Sequence, residues 1–127
     1  MERRIDLFEV IDQITAKDAR YKPEAYSFVM TALNYTLKKF KKPRHITGRE
    51  LLEGIRAYAI EQFGPLTRTV FEYWGITSTE DFGHIVFNLV EAKLLSKTEE
   101  DSIEDFKNAY DFKDAFDAPV EYKLYNE

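Results

Sequence analysis

The 127-residue sequence has no cysteine, which removes disulfides, thiolate nucleophiles and every cysteine-ligated zinc or iron-sulfur site. Glycine is scarce, five in all, and none follows Gly83; a calcium loop of the EF-hand type, which needs a central glycine, has no place in the second half. Histidine occurs only as His45 and His84, and no paired-histidine metal motif, glycine-rich phosphate loop, Walker motif or nucleophile elbow is present. The chain is therefore expected to hold neither a metal nor a cofactor and to have no catalytic set. Long apolar runs are missing too. The longest uncharged stretch, Ala25 to Leu37, is 13 residues interrupted by Ser27, Thr31, Asn34 and Thr36, against the ~20 needed to span a bilayer. The start, Met1-Glu2-Arg3-Arg4-Ile5-Asp6, gains acids before any apolar run and does not read as a secretory signal. The expectation is a cytoplasmic protein with no membrane partner.

What the chain does have is core material: 44% of residues are apolar and 15% aromatic, enough for one domain of ordinary size. The net charge of -5 conceals an asymmetry. Residues 1 to 77 carry 13 Lys/Arg against 10 Asp/Glu, while residues 78 to 127 carry 5 against 13. A molecule so divided favours its own kind, or a partner with the opposite arrangement, more than its net charge implies.

Periodicity predicts a mainly α fold of about five helices. Ile5, Phe8, Ile11 and Ile14 mark the first, widened by Leu7 and Val10. Pro23 and Glu24 open the second, which carries Tyr26, Val29, Met30, Leu33, Leu37 and Phe40 and is stopped by Pro43. The third has the clearest start: Thr47 as N-cap, Glu50 closing a capping box and Ile46 against Leu51 as a staple. Its inward residues are Leu51 or Leu52, Ile55, Tyr58, Ala59 and Phe63, and Gly64-Pro65 ends it and opens the fourth, with Leu66, Val70 and Phe71 or Trp74 inward. Gly75 supplies a left-handed residue, and Ser78 with Asp81 starts the fifth. Phe82, Ile85, Val86, Leu89, Val90 and Leu94 form a stripe broad enough for burial on more than one side. These elements divide the chain into a three-helix part (1–63), a helix-turn-helix-like part (64–97) and an acidic tail (98–127). After Leu95 a wing hairpin and a short helix both fit, and Val120, Tyr122 and Leu124 alternate as in an edge strand. Asp81-Phe82, Asp105-Phe106 and Asp111-Phe112 repeat an aromatic-acid pair too short for a structural repeat.

Several stretches together resemble a bacterial family of conserved hypothetical proteins of planctomycete and verrucomicrobial type: Arg44-His45-Ile46-Thr47-Gly48-Arg49-Glu50-Leu51-Leu52-Glu53-Gly54-Ile55, Phe63-Gly64-Pro65-Leu66, Trp74-Gly75-Ile76, Ser78-Thr79-Glu80-Asp81-Phe82-Gly83, the run from Leu94 to Ser102, and Tyr110-Asp111-Phe112. Lys93 stands where a glycine is expected. The resemblance implies a bacterial protein and carries no catalytic residues. Separately, Leu89-Val90-Glu91-Ala92-Lys93-Leu94-Leu95 looks like a recognition helix running into a first wing strand, so the second half is winged-helix-like by resemblance, which does not establish DNA binding.

Two charged clusters are the candidate sites. Lys38, Lys39, Lys41, Lys42, Arg44, His45 and Arg49 occur with no acid before Glu50; they suit phosphate neutralisation or, more plainly, a solvated helix end. The acidic cluster Glu99, Glu100, Asp101, Glu104 and Asp105 suits a solvated surface or a docking face for a basic partner. His84 lies four residues from both Glu80 and Asn88, a spacing that would put all three on one helix face as a hydrogen-bonded chain or a base with its orienter. The reading from sequence is a non-catalytic protein-binding or adaptor domain, or one that self-associates; a nucleic-acid-associated regulator using residues 38–49 is the alternative.

Overall fold

The computed structural model describes residues 6–42, 44–96 and 102–117. Among these, the chain forms six α-helices and two short 3-10 turns and no strand: α1 (Leu7–Lys17), α2 (Pro23–Leu37), α3 (Gly48–Phe63), a 3-10 turn at Gly64–Leu66, α4 (Thr67–Tyr73), α5 (Thr79–Glu91), a second 3-10 turn at Ile103–Phe106 and α6 (Phe112–Phe116). The mainly helical expectation holds.

Local chemistry sets the starts. Asp6 caps α1 by accepting from the Phe8 and Glu9 amides. Thr47 and Glu50 form the reciprocal capping box of α3, at 3.0 and 3.1 Å. Asp81 accepts from the Thr77 and Ser78 amides at the head of α5, which satisfies donors that a helix start leaves orphaned. The stops are equally specific. After α4, Gly75 takes φ +91°, its amide donating to Glu72 while that of Ile76 donates to Phe71. After α5, Lys93 takes φ +66°, its amide donating to Val90 while that of Leu94 donates to Leu89. Both are Schellman caps. The position where a glycine is expected does adopt the glycine conformation.

Helix α2 ends at Leu37, before the basic run, because lysines at positions 38, 39, 41 and 42 would repel one another at helical spacings; Pro43 lies outside the described residues. The helices bury one cluster, led by Ile11, Tyr26, Val29, Leu52, Ile55, Phe71, Ile76, Phe82, Ile85 and Leu89. At its centre the Phe71 ring meets Phe28, Phe82 and Phe116 within 5.6 Å, a geometry that adds to simple burial.

Two expectations need correcting. Phe8 is 74% exposed, because the inward side of α1 centres on Leu7, Ile11 and Ile14 and Phe8 lies about a quarter turn away. Leu66 is 62% exposed and Thr67 is buried in its place; the Thr67 hydroxyl donates to the Gly64 carbonyl at 2.7 Å, with the Ala59 carbonyl also within reach at 3.2 Å. Of the two readings of the segment after Leu95, residues 102–117 take the short helical one and form no strand. Ile103 and Phe106 are three apart, the spacing that eclipses on a 3-10 turn, and they seat against glycines: a Cβ on Gly83 would fall 2.6 Å from Ile103 and 2.8 Å from Phe106, and one on Gly48 3.0 Å from Phe106. The buried Thr79 hydroxyl donates to the Phe106 carbonyl (2.6 Å) and the Tyr110 hydroxyl to the Leu52 carbonyl (2.8 Å), which fixes the segment on α5 and α3. The alternating residues Val120 to Tyr125 lie outside the described residues.

Candidate functional site

A cavity of about 650 Å³ opens between the second half of α2, the start of α3 and one side of α5. Its walls are two rows at i, i+4 spacing, Leu33 and Leu37 on α2 and Val86 and Val90 on α5, and the Schellman turn at Lys93 brings Leu94 and Leu95 to its end. All six are only half-buried. The core lies behind them in Ala32, Leu51, Ile85 and Leu89. A trough of this volume with an apolar floor has the dimensions of a binding site.

Among the described residues that line it, Arg44 and Lys93 are charged, His45, Thr47 and Ser96 are polar, and none is Asp or Glu. A second hollow of about 530 Å³ shares Leu37 with the first and is lined by Asn34, Lys38, Phe40 and Lys41. The sequence-predicted basic residues Lys38, Lys39, Lys41, Lys42, Arg44, His45 and Arg49 are all exposed, but they are not equivalent. The Arg44 guanidinium makes a fork of two hydrogen bonds to Glu50 (2.9 and 2.8 Å) and lies 4.3 Å above the Phe40 ring, so its charge is met. Backbone donation from Thr47, joined by Arg44, holds the Glu50 carboxyl below its usual range. Lys39 covers the Tyr35 ring at 5.2 Å. Lys38, Lys41 and Lys93 pair with no carboxylate among the described residues.

The acidic candidates divide differently. Glu99, Glu100 and Asp101 lie outside the described residues. Glu104 pairs with Lys107 at 3.2 Å, and Asp105 accepts from the Ser102 amide to cap the second 3-10 turn, so both have local structural work. No group of three or more His, Asp or Glu suited to a metal occurs among the described residues. His84 lies 3.6 Å from Glu80 and lines none of the described cavities. Asn88 is not its partner. The Asn88 amide donates to Asp18 (2.9 Å) and to the Tyr26 hydroxyl (3.0 Å) in the interior between α5, α2 and the α1–α2 turn. Asp18 also accepts from Arg20 at 2.7 and 2.9 Å, and these bonds, Arg20 first, hold its carboxyl well below the carboxylate range. Nearby, the Tyr21 hydroxyl donates to Asp81 at 2.6 Å, and burial, then that carboxylate, pushes the phenol above its ordinary value. Every member has a partner, so this network is structural.

Sequence reasoning did not find the trough. Its signal was present as the breadth of the fifth-helix stripe, which exceeds what a one-sided helix needs. No helix is long and apolar enough to cross a membrane among the described residues. Comparison of the chain with known protein families, with characterised proteins and with solved structures finds no match, so the reading rests on the geometry.

Proposed function

We propose that the protein is a non-catalytic binding domain whose trough between α2, α3 and α5 receives apolar side chains of a protein partner. The observation that carries this is the double row of half-buried Leu33, Leu37, Val86 and Val90: Leu33, Leu37 and Val86 pack against the core, yet the two rows together leave apolar surface facing one shared trough. Among the described residues no Asp or Glu lines the trough, which favours binding over acid-base catalysis there. The test uses an apolar fluorescent probe, anilinonaphthalene sulfonate, titrated into the folded protein and into Leu37→Asp and Val90→Asp variants whose far-UV spectra are unchanged. Saturable binding lost in both variants supports the reading. Absence of saturable binding, or binding indifferent to both substitutions, removes it.

A second reading, nucleic-acid association through Lys38, Lys39, Lys41, Lys42, Arg44, His45 and Arg49, is favoured by the exposure of all seven. It expects salt-sensitive binding of DNA or RNA that disappears when the four lysines become glutamate. It ranks second because the neighbouring rings, Tyr35 and Phe40, already carry Lys39 and Arg44 on their faces, where a base would have to stack.

A further inference from the structure

Building on the binding-domain reading, we infer that the occupant of the trough is an amphipathic helix whose flanks are acidic. Shape argues for a helix. The two walls are themselves helix rows with i, i+4 spacing, and a third helix fills such a trough by setting its own i, i+3, i+4, i+7 ridge into the groove between them. A strand has no sheet edge to extend among the described residues, and strand addition needs one.

Charge argues for acid. Among the described residues, the charged side chains that line the trough and its adjoining hollow are Arg44, Lys93, Lys38 and Lys41, with no Asp or Glu. By contrast, the cavity on the other side of α5 mixes Lys17 with Asp18 and Glu91. Glu50 already meets Arg44, which leaves Lys38 and Lys41 in the adjoining hollow and Lys93 in the trough as cations unmatched by any described carboxylate. This local polarity is the reverse of the chain's net charge of -5, so general attraction does not explain it. A basic helix would bring like charges together, which costs affinity and slows encounter. A nucleic acid would satisfy the lysines but leave the apolar floor in water.

The experiment measures anisotropy of a labelled helical peptide of about 18 residues, leucine on one face and glutamate elsewhere, with full-length protein at about 0.1 M salt. Three competitors accompany it: the same peptide with lysine for glutamate, a scrambled peptide with no apolar face, and duplex DNA. The acidic peptide is expected to bind at least about tenfold tighter than the lysine peptide, and Lys38→Glu, Lys41→Glu and Lys93→Glu together are expected to weaken it by about tenfold or more. These exposed substitutions are expected to leave the thermal midpoint near that of wild type. Equal binding of the acidic and lysine peptides overturns the charge inference while leaving the apolar binding site standing. Equal binding of the scrambled peptide overturns the helix. Displacement of the acidic peptide by DNA transfers the site to nucleic acid. If neither the peptides nor the apolar probe bind, the inference and the binding-domain reading fall together.

Discussion

Gly54 stands in the middle of α3, where alanine would ordinarily stabilise a helix by about 0.5–1 kcal/mol. In this protein the substitution is expected to do the reverse. A Cβ on Gly54 would lie 1.7 Å from the Thr36 hydroxyl oxygen and 2.9 Å from its Cβ. Thr36 cannot retreat easily: it is 3% exposed, its hydroxyl donates to the Ala32 carbonyl at 2.8 Å, and its branched side chain is stiff about χ1. Helices α2 and α3 must therefore separate along their closest contact, and overpacking of this kind costs about 1–3 kcal/mol. With the overlap this deep the upper end applies, and after subtracting the helix gain Gly54→Ala is expected to cost about 2 kcal/mol. For a chain of this length that corresponds to about 8 °C in the thermal midpoint. The assay is urea unfolding of the wild type, Gly54→Ala, Thr36→Ala and the double variant. Because Thr36→Ala removes the hydroxyl and methyl that the new Cβ would strike, the double variant should be more stable than additivity requires by about 1 kcal/mol. A stabilised Gly54→Ala, or a cycle additive to within about 0.4 kcal/mol, would refute the close contact between the helices.

Lys93 occupies a left-handed position at the end of α5, where a side chain costs about 1 kcal/mol relative to glycine; Lys93→Gly should raise the urea midpoint by a corresponding amount, and a lowered midpoint would contradict the cap. Asn88→Ala removes the donor shared by Asp18 and the Tyr26 hydroxyl and should cost about 1–3 kcal/mol in the same assay, whereas a surface role for Asn88 predicts a change near zero. Asp18 and Glu50 both titrate below their ordinary values in the folded state, so their contribution is present at neutral pH and is lost as pH falls below about 4 toward the depressed values. Asp18→Asn should accordingly flatten the acid limb of the stability curve, and an unchanged limb would show that the Arg20 and Asn88 bonds do not stabilise the carboxylate.

Much of the architecture was legible because it is written in local chemistry. Thr47 with Glu50, Ser78 with Asp81, Gly75 and the glycine-like demand at Lys93 all act within a few residues of themselves, and the structure uses each in that way. The Asp-Phe pairs have the same origin. Asp81, Asp105 and Asp111 each cap a helical turn, and Phe82, Phe106 and Phe112, one residue on, are buried: a cap and an anchor together fix where a short turn lies. What could not be read locally was the path of residues 102–117. Periodicity left helix and wing equal there, and the deciding contacts come from Gly48 and Gly83, distant in sequence. Gly83 lies in the interior of α5, where local propensity disfavours it, and Gly48 is the first residue of α3. The reason is tertiary, since each admits Phe106.

The same packing explains why the trough stays open. Helix α5 presents apolar residues over more of its circumference than one neighbour can cover. Phe82, Ile85 and Leu89 are fully buried against the core, and the Gly83 side is closed by Ile103 and Phe106. Beyond them Val86 and Val90, facing Leu33 and Leu37, are left half-covered. The chain closes one side of this helix with its own residues, using glycines to bring them close, and on the other side the charged residues that line the trough among those described are Arg44 and Lys93. An apolar row that merely completed the core would be buried, and one that merely decorated the surface would have no reason to face a second row at matched spacing. Matched rows bounded by Lys38, Lys41 and Lys93 are the arrangement that a helix of opposite charge would complete.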